Sequence, residues 1–165
     1  MRVNSNRTLL LAAALSCAAA LPVQAAGKAD VSYVKPEAFR DAGRGSVERE
    51  RTMASLTRFV QQLARQLPDG QTLRLEVTDI DLAGEIHPSM RLNDLRVLRG
   101  GADWPSLNMR YTLLEGSRTL KSGEAQLADM AYMFSPAGKA AMDGDMVYEK
   151  RMLRKWFDQT IVSQR

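Results

Sequence analysis

The chain has 165 residues, 23 Lys and Arg against 19 Asp and Glu, a formal net charge of +4, one cysteine and one histidine. This length suits a single domain that buries a core without staples. A lone cysteine excludes a disulfide framework and thiolate metal sites, and so small a basic excess is no footprint of nucleic-acid binding.

Residues 1–25 read as a cleaved export signal. Arg2 and Arg7 precede an apolar run from Thr8 to Leu21, which leads into Pro22 and the small-residue site Val23-Gln24-Ala25. The run is shorter than the roughly 20 residues a helix needs to cross the hydrocarbon core, and no later segment approaches that length. Leu15-Ser16-Cys17 raises an alternative, an outer-membrane lipoprotein anchored at Cys17, but the run continues past the cysteine to an ordinary cleavage site. Cleavage after Ala25 leaves 140 residues, no cysteine and a charge of +2, because Arg2 and Arg7 depart without an acid. The expectation is a periplasmic protein with no transmembrane segment in its mature chain.

Residues 26–30 form a short polar leader, and 31–165 a single domain. "VSYV" (Val31 to Val34) has strand composition and Pro36 limits it. Ser46 is the expected N-cap of a helix running to about Leu67, with the apolar stripe Met53, Leu56, Val60, Leu63 and Leu67. Pro68-Asp69-Gly70 stops it. From Leu73 the period becomes two: Leu73, Leu75 and Val77 share a face, and the parity then fails at Asp79 and Asp81, which predicts a bulge or a departure from the sheet near Thr78-Asp79. A weaker strand carries Leu95 and Val97. Residues Leu107 to Met130 predict a hairpin turning at Gly116-Ser117, with Glu115 opposite Arg118, Leu113 opposite Leu120, Tyr111 opposite Ser122 and a correcting bulge near Gly123. A loop over "SPAGKAAMDGD" precedes a last helix from Asp145 to about Val162, with Leu153, Trp156, Phe157 and Ile161 on one face. The order β-α-β-β-β-β-α implies an α+β fold, a mostly antiparallel sheet of four to five strands with two helices packed on one face.

"VSYVKPEAFRDAG", "LEVTDIDLAGEI", "WP" followed by "MRYTLLE", "GEAQLADMAYM" and "YEKRMLRKWF" occur together. In these motifs the chain resembles a bacterial exported family known as domain of unknown function 3016, over roughly Asp30 to Asp158. The resemblance implies an exported, periplasmic, stand-alone domain. It carries no activity, ligand or catalytic residue.

The enzyme-like candidate is "VTDIDLAGEIHPSM", where Asp79, Asp81, Glu85 and His87 offer oxygen and imidazole ligands to a hard cation. Gly84 and Pro88 argue that the strand ends before His87, and calcium-loop spacing is absent. The favoured reading is a bulged strand whose aspartates bond backbone N–H groups or arginines such as Arg91, Arg96 or Arg110. A serine hydrolase would need His87 as base with Ser89, Ser106 or Ser122, but no G-x-S-x-G elbow is present. A glycosidase pair could join Asp79 or Asp81 to Glu85 or Asp129, a separation that chain spacing does not measure. "GRGS" lacks the frame of a phosphate-binding loop.

"EKRMLRKWF" could meet anionic envelope lipid, but a C-terminal helix whose cations suit the dipole and whose apolar stripe meets the sheet is the favoured account. Trp104, Tyr111, Tyr132, Tyr148 and Trp156 could line a concave site and more often complete a core. Glu149, four residues before Leu153, lies on the inward side of the helix and needs a partner, with an arginine of the sheet expected. The leading expectation is a non-enzymatic module without cofactor or nucleic acid. It would bind another envelope protein or a second copy through the sheet edge or a surface around Met130, Tyr132, Met133, Met142 and Met146. The alternative is a small metal-dependent hydrolase using Asp79, Asp81 and His87.

Overall fold

Leu73, Leu75 and Val77 do form one buried face of a strand in the computed structural model, which describes residues 26–88, 95–134 and 145–163. Residues 1–25, with Cys17, lie outside the described residues, as do Ser89, Arg91 and Met142. The strand is β2 (Gln71–Asp81), and it pairs in parallel with β1 (Lys28–Tyr33) on one side and antiparallel with β5 (Ser106–Glu115) on the other. β6 (Arg118–Ala128) closes the sheet order β1-β2-β5-β6. β3 (Glu85–His87) and β4 (Leu95–Val97) form a separate antiparallel ribbon. The fold is thus α+β with a mostly antiparallel main sheet, and the weak strand at Leu95 joins the ribbon, not the main sheet.

Helix α1 (Gly45–Ala64) connects the parallel pair, and α2 (Val147–Trp156) runs on into a π-helical turn, Phe157–Val162. Leu56, Phe59, Val60 and Leu63 of α1 share a core with Leu73, Leu75, Val77 and Ile80 of β2, Leu107, Met109 and Tyr111 of β5, and Leu153, Trp156, Phe157 and Ile161 at the C-terminus. On the other face of the sheet, ion pairs run across the strands: Asp30 with Arg74, Glu76 with Arg110, and Arg110 with Glu124.

Several local expectations need correction. β1 begins at Lys28, inside the expected leader, because the parallel ladder needs backbone partners and buries only Ala29 there. α1 is not capped by Ser46. It starts at Gly45 behind Arg44, whose N–H donates to Glu48 Oε2 at 2.6 Å, so a carboxylate reaching back replaces the hydroxyl. It ends at Ala64; Leu67 lies past the end, buried, with its carbonyl accepting the Gly27 N–H at 3.1 Å. The bulge at Thr78 stands, since Val77 pairs with Met109 and Asp79 with Asn108. In the hairpin Glu115 does face Arg118, but Leu113 meets Lys121 and Tyr111 meets Gly123. The extra residue is Leu120, beside the turn, not one near Gly123. Placing the bulge there sets Leu127 against Leu107 and puts the one residue without a side chain under the Tyr111 ring.

A Cβ at Gly123 would lie 3.0–3.2 Å from the hydroxyl and two ring carbons of Tyr111, whose ring packs edge-on against Trp156 at 5.3 Å between centroids. Gly123→Val should therefore lower unfolding free energy by about 1–3 kcal/mol in denaturant titration. Ser122→Val, on the exposed neighbour, should stay within about 0.5 kcal/mol of the parent.

Candidate functional site

The bulge decides where the carboxylates of the opening candidate point. Past Thr78, Ile80 turns fully into the core while Asp79 and Asp81 project toward Arg40, in the segment before α1. The Arg40 backbone N–H donates to Asp79 Oδ1 at 3.0 Å and its Nε to Oδ2 at 2.6 Å. Its Nη1 lies 3.2 Å from Asp81 Oδ2, and its Nη2 donates to Ser106 Oγ at 2.7 Å. Burial pushes the Asp81 carboxyl above its ordinary range, Arg40 opposes that shift, and the charges of Asp41 and Asp79 add to it.

His87 is held elsewhere, its Nε2 3.0 Å from Arg99 Nη2 and 3.6 Å from Glu85 Oε2. Among the described residues no three His, Cys, Asp or Glu side chains are grouped to hold a metal ion. Of the arginines expected to serve the aspartates, Arg96 binds Asp41 and Arg110 binds Glu76 and Glu124. Asp129 accepts from Arg151 Nη2 at 2.8 Å. Arg40 escaped sequence reading because it lies 39 residues from Asp79 with no local pattern connecting them.

A different site forms where β2 leaves the sheet. The ladder ends at Asp81, and the next three backbone donors need acceptors. Leu82 N–H donates to Asp41 O at 3.0 Å and Gly84 N–H to Asp103 O at 2.8 Å. Between them, Ala83 N–H donates to Glu149 Oε1 at 2.7 Å. The partner of Glu149 is thus a backbone amide, not the arginine that was expected. Glu149 is 3% exposed, more buried than its position in the stripe implied. Burial raises its pKa above the ordinary 4.5, opposed by the Ala83 N–H and by the nearby charges of Arg96 and Lys150.

Glu149 and Ala83 lie in the wall of a cleft of about 350 Å³ between α2 and the β4 end of the ribbon. Leu82, Leu98, Met146, Val147 and Tyr148 make it mainly apolar, with Arg96 and Asp145 as its other polar groups. Arg96 binds the junction: Nη1 donates to Asp41 Oδ2 at 2.8 Å, Gly84 O at 3.0 Å and Ala83 O at 3.3 Å, and Nη2 to Asp41 Oδ1 at 3.1 Å. Such a fork fixes the loop, the ribbon and the β2 exit to one another. Lys150 is bound to Asp145 at 2.8 Å, and Asp145 also accepts from Ser55 Oγ at 3.2 Å. A perturbed carboxyl in a mainly apolar cleft is the pattern expected of a binding site.

The expected Met-rich surface divides. Met130 and Met133 are exposed, and beside them Phe134, which sequence reading missed, is 82% exposed. Met146 is half-buried at the mouth of α2 in a left-handed conformation, φ 60°. Tyr132 has no place on a surface, since it is fully buried. Its hydroxyl accepts the Gly100 N–H at 3.2 Å, its ring meets Tyr148 edge-on at 4.8 Å, and its carbonyl accepts Arg151 Nη2 at 2.7 Å. It sits in a turn after β6, where no periodicity marks inside from outside. Of the basic residues of α2, Lys150 and Arg151 are thus in the fold's own pairs, and Arg154 lies over the Phe59 ring at 5.4 Å. No described helix is long and apolar enough to cross a membrane.

The family model described as Protein of unknown function (DUF3016) matches residues 27–159. Comparison with curated proteins and with solved structures returned no match.

The buried carboxyl makes stability depend on pH. Because its folded-state pKa lies above 4.5, the native state holds the proton more tightly than the unfolded chain. Its effect is neutral below that value, and stability declines as pH rises through the folded midpoint. Glu149→Gln keeps an acceptor for Ala83 N–H and should flatten that decline in thermal melts between pH 4 and pH 8. Glu149→Ala strands the amide and should cost about 1–3 kcal/mol across the range. Equal losses in both variants would refute this role for the carboxyl.

Proposed function

We propose that this chain, which belongs to the family described as Protein of unknown function (DUF3016), is a non-enzymatic protein-binding module of the cell envelope. The observation that supports a binding role is the distribution of exposed apolar side chains. Eight large hydrophobics are exposed among the described residues, and five of them, Leu95, Leu98, Met130, Met133 and Phe134, lie on two short segments. Those segments meet at Gly100, where an added Cβ would be 2.8 Å from Met133 Sδ. Leu98 also lines the cleft, so the patch continues into it. Methionine and phenylalanine on a surface are adaptable and costly to leave in water, and patches of this kind mark contacts with partners. Location in the envelope rests on residues 1–25, whose charged start, apolar run and small-residue site match an export signal.

The metal-dependent hydrolase gains no support from the positions of its residues, because Asp79 and Asp81 are bound by Arg40 while His87 lies against Arg99. The partner we favour is another envelope protein. A photo-crosslinking residue at Phe134 in the exported protein should trap one discrete adduct in intact cells. Leu98→Ser with Met130→Ser should erase it without shifting the melting temperature. An adduct of twice the chain mass would identify a second copy as the partner. Diffuse products, or an adduct unchanged by those substitutions, would overturn the reading.

A further inference from the structure

We propose that the cleft beside Glu149 receives a lysine side chain of the partner protein, its alkyl stem against the apolar walls and its ammonium on the Glu149 carboxylate. This rests on the protein-binding reading above and names what the partner must present. Charge complementarity commits the cleft to a cation. Among the described residues every charged group facing it belongs to a compensated pair except one: Arg96 of β4 is neutralised by Asp41 from the loop before α1, and Asp145 by Lys150 of α2. What remains is the Glu149 carboxylate, which accepts from the backbone N–H groups of Ala83 and of Glu149 itself and has no ion pair among the described residues.

A neutral donor could satisfy that carboxylate, but the walls select the stem. Leu82, Leu98, Met146 and Tyr148 line a mainly apolar cleft beside Glu149. Lysine combines a four-carbon stem with a compact ammonium, and such stems lie readily along apolar surface. Arginine fits less well, since its planar fork calls for two acceptors and Glu149 has already given one oxygen to Ala83. The desolvation cost of the ionised carboxyl is also offset when a cation arrives. Binding should then release a proton wherever Glu149 is still protonated in the free protein.

The test uses the mature chain with n-pentylammonium and n-pentanol as matched probes, followed by amide shifts of Ala83 and Tyr148 in NMR titrations. Pentylammonium should bind about tenfold or more tighter than pentanol, as a charge-assisted hydrogen bond implies. Its affinity should rise with pH, by up to about tenfold per unit below the Glu149 midpoint, and level off above it. Glu149→Gln, which keeps the Ala83 acceptor, should abolish both the preference and the pH slope. In cells, the same substitution should weaken the Phe134 adduct at least severalfold. Equal binding of the two probes, or a preference surviving Glu149→Gln, would overturn the lysine pocket. An adduct unaffected by Glu149→Gln would overturn it too, while leaving the protein-binding reading standing. Loss of any discrete adduct in the parent chain would instead remove that reading, and this inference with it.

Discussion

Three consecutive backbone amides, Leu82 to Gly84, hold this protein together where its central strand ends. A β-strand inside a sheet satisfies its donors by ladder pairing, and a strand that leaves while still buried must find acceptors elsewhere. Leu82 and Ala83 are buried at that point, and each of the three N–H groups is taken by a different part of the chain. Asp41 comes from the loop before α1, Glu149 from α2 and Asp103 from the loop before β5. One requirement of hydrogen bonding thereby ties the crossover loop, the C-terminal helix and the small ribbon to the main sheet. The fork from Arg96 to Asp41 and to the carbonyls of Ala83 and Gly84 completes the junction from the acceptor side.

The cleft follows from this junction. A carboxylate drawn inward to accept Ala83 N–H cannot be covered completely by the same helix turn, and the first residues of α2 leave a passage beside it. Met146, with positive φ, and Tyr148, packed edge-on against the buried Tyr132, form its sides. The position of Tyr132 therefore matters to the surface although the residue itself is not on it. It supports the turn from which Met133 and Phe134 project.

Periodicity carried most of the fold. Leu73, Leu75 and Val77 marked the central strand by alternation, and the failure of that alternation placed an irregularity near Thr78-Asp79, where the register shifts. The stripe on α1 and the apolar face of α2 were equally legible, because each repeats a side chain against one core. The second bulge was misplaced since parity only shows that one is needed between Tyr111 and Leu127. The choice of Leu120 depended on how the Tyr111 ring sits over Gly123, a contact between strands. β1 extended beyond its apolar residues because ladder pairing does not need them.

The site was less legible for the same reason. Helical spacing placed Glu149 inward but could not show that its acceptor role would serve a backbone amide 66 residues away. Asp79 and Asp81 looked like ligands because they are close in sequence, while the group that binds both, Arg40, is distant in sequence and close only in the fold. The junction depends on the bond between Glu149 and Ala83. An NMR titration that follows the Glu149 carboxyl carbon and the Ala83 amide proton together tests it most directly. Both should move with one common midpoint above 4.5. Separate midpoints, or a Glu149 midpoint at or below that value, would contradict it.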